Sequence, residues 1–534
     1  MKRRRLVIII LVLWLAVLAC NLPSAPQAAP QTDLQQTIEA MGTPFQPPAG
    51  TDLPAAINPP PDLPPADQPP ANLPPAPLPA MPTVIPGAAG HGVLIPGDPI
   101  ISDGYFQYST QPGDTVAGLA GRFGVQPDQI IDSRQTSPLV ALPIGQALVI
   151  PSTFDTIQYA KALLPDSEII FSPSSAGFST ADFIRDAGGF LSTYSEQVEQ
   201  ETLTGAQIVD RVAQETSTSP RLLLALLEYR SHWVFGQPAD PQQTSFPIGF
   251  YASQYSGLYK ELVLTSRQLT LGYYGWRLGK TVEVEFVDLS KIRMSPTVNA
   301  GTMAIAYLFS KLYNQADWYQ QLYDPGSFLA FYQQSFGSPW ERAAQVEPLL
   351  PDGLSQPALE LPFTMGERWS FTGGPHAAWG VGSPWGGLDF APSAVEKGCT
   401  VSRFWITAAA PGLVVRADHG VVIVDLDGDG FEQTGWVLLY LHVAGQDRVA
   451  VGTQLAVNDH IGHPSCEGGF STGTHVHLSR KFNGEWLASD GPVPFVLSGW
   501  QAWPGARQYS GSLTRGDQVV TARPDGSHTS LIVR

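Results

Sequence analysis

The spacing of hydrophobic and polar positions changes several times along the chain, and each change marks an element or a boundary. After a basic start at Met1 to Arg5, an apolar run extends from Leu6 to Ala19. It is about 14 residues long, short of the roughly 20 that a spanning helix needs, so residues 1–20 read as an export signal. Residues 21–100 have no periodicity and are dominated by Pro and Ala, as in NPPPDLPPADQPPANLPPAPLP; this is the text of a semi-rigid, disordered linker. Regular patterns begin at 105–152. Gln107 to Thr110 suits a strand, Gln111-Pro112-Gly113-Asp114 a turn, and Thr115 to Phe123 a helix with Val116, Leu119, Ala120 and Phe123 on one face. A second short helix is expected from Pro127, carrying Ile130 and Ile131, and a closing strand over Ala147 to Ile150.

Residues 155–350 read as mainly helical. Ser219-Pro220 supplies an N-cap and first helical residue for Arg221 to Ser231, and a second apolar helix runs from Ala300 to Leu312. A Pro- and Leu-rich linker follows at 350–361. Beyond it, over 360–505, Pro411 to Ala417, Val421 to Asp425, Trp436 to Val443 and Thr474 to Arg480 read as strands between Gly-rich turns. Residues 506–534 are left as a C-terminal extension. The expected fold class is multidomain α+β: a small βααβ module, a mainly α-helical middle domain and a domain rich in antiparallel sheet. A chain of 534 residues accommodates several such domains at roughly 150 residues each. Its net charge of −17 excludes nucleic acid as a partner, because that binding needs clustered Lys and Arg.

The residues Val17-Leu18-Ala19-Cys20 resemble a bacterial lipobox, which implies lipid on Cys20 and a membrane anchor; a plain signal peptide or uncleaved anchor is the alternative. Either way the rest of the chain is exported. With Cys20 lipidated, Cys399 and Cys466 remain as a pair in an oxidising compartment, and a disulfide between them is expected rather than two free thiols. The pieces QPGDT, FGV and LVIP resemble a LysM module, which implies binding of N-acetylglucosamine-containing glycan around Gly113, Asp114 and Thr115 and the Leu139 to Ile144 loop. The helix ending at Ser231 resembles that of the lysozyme-like transglycosylases, whose catalytic Glu precedes a Ser. Here Arg230 holds that place, and a guanidinium cannot give up a proton near neutral pH, so this domain is expected to be non-catalytic.

Seven of the ten histidines lie between 376 and 477, which prompts a search for a metal site. In Thr474-His475-Val476-His477 the two imidazoles, two residues apart on a strand, share one face. Gly373-Gly374-Pro375-His376 stands upstream, Leu388-Asp389-Phe390 follows thirteen positions after that His, and Leu439-Tyr440-Leu441-His442 lies between. With the run Cys466-Glu467-Gly468-Gly469-Phe470-Ser471-Thr472-Gly473 before His475, these resemble the M23 peptidases, most closely the β-lytic and staphylolysin-type branch. The position four before Asp389, where the shorter-gap branch has its His, is Trp385. The resemblance implies one zinc ion on His376, Asp389 and His477, with His475 and His442 as the catalytic histidines. Two neutral imidazoles and a carboxylate leave a fourth tetrahedral position for water. No HExxH is present, so His475 is the expected general base. His419, His460 and His463 are read as surface or loop residues.

Asp425-Leu426-Asp427-Gly428-Asp429-Gly430 resembles the opening of a calcium loop, with Trp436 at the twelfth position and Glu432 as a possible substitute ligand; a polar hairpin turn is the alternative. The function these readings imply is an exported zinc endopeptidase that hydrolyses peptidoglycan stems or cross-bridges. The rivals are a non-catalytic wall-binding lipoprotein that activates other hydrolases, and a secreted protease acting on external protein.

Overall fold

The computed structural model describes residues 100–102, 104–130, 138–154, 159–393 and 398–534; the export signal, Cys20 and the Pro-rich linker lie outside the described residues. Among the described residues no helix is long and apolar enough to cross a membrane. In strand β2 (Tyr105–Ser109) Phe106 and Tyr108 are buried and their neighbours exposed, as pleating requires. It pairs antiparallel with β1 (Ile100–Ser102) and β3 (Ala147–Pro151). Thr115 caps helix α1 (Val116–Phe123) by accepting from the Gly118 N–H, and Leu119 and Phe123 close a small core with Phe106 and Ile150. The expected second helix is a 3-10 turn at Pro127–Gln129, and Ile131 lies outside the described residues.

The turn after β2 does not face solvent. Asp114 is buried, accepts the Tyr108 hydroxyl at 2.6 Å and pairs with buried Arg122. Gln111 Nε2 donates to the Thr297 carbonyl at 2.6 Å, Arg277 donates to the Pro112 carbonyl, and the Ile144 N–H reaches Asp352 at 2.8 Å. A Cβ on Gly121 would lie 2.2 Å from the Gly279 carbonyl oxygen, so α1 rests directly on the chain that follows the next region's longest helix. Gly113, Asp114 and Thr115, where the motif resemblance implies glycan contacts, are buried in this arrangement, with the Asp114 carboxylate on Tyr108 and Arg122 and the Thr115 hydroxyl on the Gly118 N–H.

The middle region is helical as expected. Thr204 and Gln207 form a capping box at α2 (Gly205–Thr216), and Ser219 with Pro220 opens α3 (Pro220–Ser231). The leucines of α3 are buried, and that helix packs against α2 and the helix Phe328–Phe336, while α4 (Leu258–Arg277) packs against α2 and α5 (Ala300–Ser310), and α6 (Gln315–Tyr323) packs against α5. Two hairpins, β4–β5 (Ser195–Val198, Glu201–Thr204) and β6–β7 (Glu283–Glu285, Lys291–Arg293), edge the bundle.

The C-terminal sheet comprises β8 (Arg368–Ala377), β9 (Trp385–Pro392), β10 (Gly412–Asp418), β11 (Val421–Asp425), β12 (Trp436–Leu441), β13 (Gln454–Leu455), β14 (Val476–Phe482) and β15 (Glu485–Trp486). A smaller antiparallel sheet follows, β16 (Val496–Leu497) to β17 (Trp500–Pro504), β18 (Gly511–Arg515) and β19 (Gln518–Thr521). The last strand, β20 (Leu531–Val533), returns to the large sheet, whose order is β13-β10-β11-β12-β14-β9-β8-β20 with β15 on β14. Residues 506–534 are therefore part of the sheet domain rather than an appendage.

The central strands carry near-continuous apolar text because both of their faces are covered. Val422, Val424, Leu438 and Tyr440 enter the core shared with the smaller sheet, whereas Val421, Ile423, Val437 and Leu439 pack with the helices. At this second interface Arg277, at the end of α4, pairs with Asp166 at 2.9 Å and Glu485 at 3.2 Å and donates to the Pro112 carbonyl, so one guanidinium joins all three regions. Removing it leaves Glu485 buried without its counter-charge. Arg277→Ala is expected to lower unfolding free energy by about 3–5 kcal/mol, measured by urea denaturation; a loss below about 0.5 kcal/mol would show that the junction is not held by this group.

Candidate active site

Neighbouring strands bring the sequence-selected residues to one end of the sheet. His477 stands opposite Asp389 and opposite Leu441 across β14, and His376 opposite Gly387 across β8–β9. His442 follows β12 directly, with φ of 67°, a left-handed conformation that histidine adopts more readily than most residues. Its carbonyl accepts from the Ser465 N–H at 2.7 Å and the Ser465 hydroxyl at 3.0 Å, which fixes the bend.

Space for the rings comes from glycines. A Cβ on Gly373 would lie 2.2 Å from Asp389 Oδ2, and one on Gly387 2.1 Å from His477 Cε1. The disulfide Cys399–Cys466, with Cα atoms 5.5 Å apart, joins the chain after β9 to the loop before His475. Thr474 Oγ1 donates to the Thr400 carbonyl at 2.6 Å beside it.

Each imidazole has one nitrogen on a backbone carbonyl: His376 Nδ1 on Gly374 at 2.8 Å, His477 Nε2 on Ala378 at 3.0 Å, His475 Nδ1 on Gly473 at 2.7 Å and His442 Nδ1 on Glu467 at 2.8 Å. A carbonyl only accepts, so each of these nitrogens carries the proton and the other presents a lone pair. His376 Nε2 and His477 Nδ1 then face each other at 2.9 Å, and lie 3.3 Å and 3.1 Å from Asp389 Oδ1. Three acceptors at these distances repel one another unless a cation lies among them. Ligand atoms about 2.0–2.1 Å from a tetrahedral zinc ion would sit about 3.3 Å apart, so spacing and donor chemistry both fit that metal.

The electrostatics favour positive charge at the cluster: burial opposes it, but the Asp389 carboxylate outweighs burial and raises His376 above its usual range. Burial opposes the Asp389 charge, but His376 and His475 outweigh it and hold the carboxyl well below its usual range. Burial, with repulsion from His475, pushes the His442 pKa down to about 3, which keeps that ring neutral. Burial likewise lowers His477. His475 Nε2 is 3.7 Å from Asp389 Oδ1, and its ring centroid is 4.5 Å from that of His442, so both outer histidine rings lie beside the cluster.

Other selected residues are elsewhere. His419 pairs with Glu201, and His460 and His463 lie against Trp405. Asp425, Asp427 and Asp429 do come together, with ligand atoms within 4.8 Å. Yet Asp425 accepts from the Asp427, Gly428 and Gly430 amides, and Glu432 is turned away onto Arg416 at 3.1 Å and Lys481 at 3.3 Å. That corrects Glu432 as a substitute ligand, and we assign no cation there. In the middle region Glu228 accepts from the Val234 and Phe235 amides at 2.9 and 2.8 Å, as a brace after α3, while Arg230 donates to the Ile248 carbonyl at 2.8 Å.

One residue at the site was not legible in the sequence. Tyr509, from the stretch read as an extension, stacks on His376 with centroids 4.2 Å apart, and its carbonyl accepts from the Gly374 N–H at 2.9 Å. A lone Tyr in a Gly- and Ser-rich loop carries no periodic or motif signal; only the returning strand β18 brings it there.

The chain is similar to several known proteins. Residues 162–349 match the family described as "LasA, N-terminal domain". The chain is 25% identical over 289 residues to Protease LasA of Pseudomonas aeruginosa, covering 52% of this chain and 65% of that protein. It is 29% identical over 173 residues to the Beta-lytic metalloendopeptidase of Achromobacter lyticus, covering 31% of this chain and 42% of that protein. By these names the chain is similar, over part of its length, to a protease and to a metalloendopeptidase. The solved structure titled "A Novel M23 Metalloprotease Pseudoalterin from Deep-sea" aligns with a TM-score of 0.27 and 23% identity, over 31% of this chain and 96% of that one. The chain thus spans less than two thirds of the first relative's length. The family match at 162–349 falls on the helical region.

The Gly387 contact gives a direct test of this construction. Gly387→Ala drives a methyl group into the His477 ring and breaks its hold on the Ala378 carbonyl. Zinc affinity is expected to fall about 10–100-fold with the circular dichroism spectrum retained, measured by competition with a chromogenic chelator; unchanged affinity would contradict the assigned ring position.

Proposed function

We propose that this chain is an exported zinc endopeptidase that cleaves peptide bonds of peptidoglycan stems or cross-bridges. The observation that carries the reading is the convergence of two imidazole nitrogens and a carboxylate oxygen, beside two further imidazoles. When bound, zinc supplies Lewis acidity and a water acidic enough to lose its proton near neutral pH. His376, Asp389 and His477 would hold the ion. His475 Nε2 takes the proton of the attacking water and later passes it to the leaving amine. Neutral His442 orients that water by accepting its second hydrogen. Tyr509 offers a phenol O–H at the rim to the developing oxyanion; burial and the Asp389 charge raise its pKa and keep that proton in place.

The resemblance to the β-lytic and staphylolysin-type branch supports a wall peptide as substrate, and the apolar run ending at Cys20 supports export and lipid anchorage. The non-catalytic rival has one argument against it: all five metal-site and proton-transfer residues are present and assembled. The test uses the full chain with peptidoglycan and with pentaglycine, with and without a chelator. Chelator-sensitive cleavage and one bound zinc are expected; no cleavage and no metal would sink the reading. His475→Ala is expected to lower kcat by about 10²–10⁴-fold with zinc retained, whereas His376→Ala should lose the metal.

A further inference from the structure

The helical region has an open cleft that the peptidase chemistry does not use. It has a volume of about 740 Å³, is lined by Tyr159, Asp288, Gln315, Tyr319 and Gln320, and continues into a second hollow of about 500 Å³ beside Tyr323. We propose that this cleft binds the sugar chain of peptidoglycan, a choice of ligand that rests on the wall-peptidase reading.

The lining follows from the spacing along α6. Gln315, Tyr319 and Tyr323 are four residues apart and share one face, while Trp318 and Leu322 are fully buried on another. The core therefore anchors the helix and leaves its tyrosine face open. The Tyr319 and Tyr323 rings stack at 5.2 Å and 14°, and Tyr159 approaches both, with centroids 6.3 and 5.8 Å away. Gln315 Nε2 donates to the Tyr159 hydroxyl at 3.2 Å and steadies that ring. Tyr319 remains 46% exposed, a large aromatic surface left to water.

The polar groups at this platform point to a hydroxyl-rich ligand. Asp288, on the β6–β7 loop, uses Oδ1 for the Ser290 amide and hydroxyl, and its other oxygen is free to accept among the described residues. The exposed Gln320 amide offers both a donor and an acceptor. A pyranose ring has flat C–H faces that stack on tyrosine and a rim of hydroxyls that donate to carboxylate and accept from phenol and amide. An N-acetyl group adds a carbonyl and an N–H that match an amide side chain. A polyproline strand also stacks on aromatic grooves, but it brings no hydroxyl donor for Asp288. The LysM-like turn is packed against Arg277 and Thr297, so this cleft offers the sugar-compatible aromatic surface that the turn does not.

The test titrates the full chain calorimetrically with a hexamer of β-1,4-linked N-acetylglucosamine, which contains no peptide bond to cleave. A synthetic peptide of residues 58–79 serves as the polyproline probe. Binding of the hexamer is expected, weakened about tenfold by Tyr319→Ala and largely kept by Tyr319→Phe. Gln320→Ala, a surface change that does not threaten folding, is expected to weaken it several-fold. The proposal is overturned by no hexamer binding, by affinity unchanged in both Tyr319→Ala and Gln320→Ala, or by the peptide displacing the hexamer. Absence of peptidase activity with hexamer binding intact would refute the peptidase reading and leave this site standing; the reverse result would refute this site alone.

Discussion

Four backbone carbonyl oxygens, those of Gly374, Ala378, Glu467 and Gly473, decide what the histidine cluster can do. Each takes the N–H of one imidazole at 2.7–3.0 Å and so turns the opposite lone pair toward a common point. His475 Nδ1 also lies 3.3 Å from the Ser471 hydroxyl, but that hydroxyl donates to the Gly473 carbonyl and so accepts from the ring as the carbonyl does. The result is a set of acceptors that is unfavourable alone and favourable around a cation, which is how a metal site is pre-organised before metal arrives.

Those carbonyls are placed by backbone, and the backbone is held by layers on both sides. The strand register sets His477 beside Asp389 and His376 beside Gly387. The second disulfide-linked loop brings Gly473 and Glu467 to the same end. Below them, alternate residues of β11 and β12 enter two separate cores, so the sheet cannot bend without disturbing both. The helical region is therefore structural support for the sheet as well as a surface of its own. Arg277 gathers the junction of the three regions by balancing two carboxylates that burial would otherwise penalise.

The same packing buries the turn of the small N-terminal module. QPGDT describes a turn well, and the turn forms. Its exposed-looking residues are spent on Tyr108, Arg122 and the neighbouring helices. A sugar-compatible surface lies instead on α6, where a helix anchored by Trp318 leaves its tyrosines outward. The fold thus separates the histidine cluster at one end of the sheet from an aromatic cleft among the helices.

By itself the sequence determined the residue types and their local phase. His475 and His477 share a strand face because side chains alternate, Ser219-Pro220 opens a helix because its side chain and missing N–H suit that end, and Cys399 and Cys466 were the pair left over. These are properties of short windows, where chemistry and period suffice. Only the tertiary structure decided which layer covers each face, that Glu432 pairs with Arg416 rather than joining Asp425, that Asp114 is buried, and that Tyr509 reaches His376. Each of these depends on which other element packs against the residue. Tyr509 and His376 are brought together by a returning strand, and Asp114 is buried by an adjoining helical layer that no local pattern encodes.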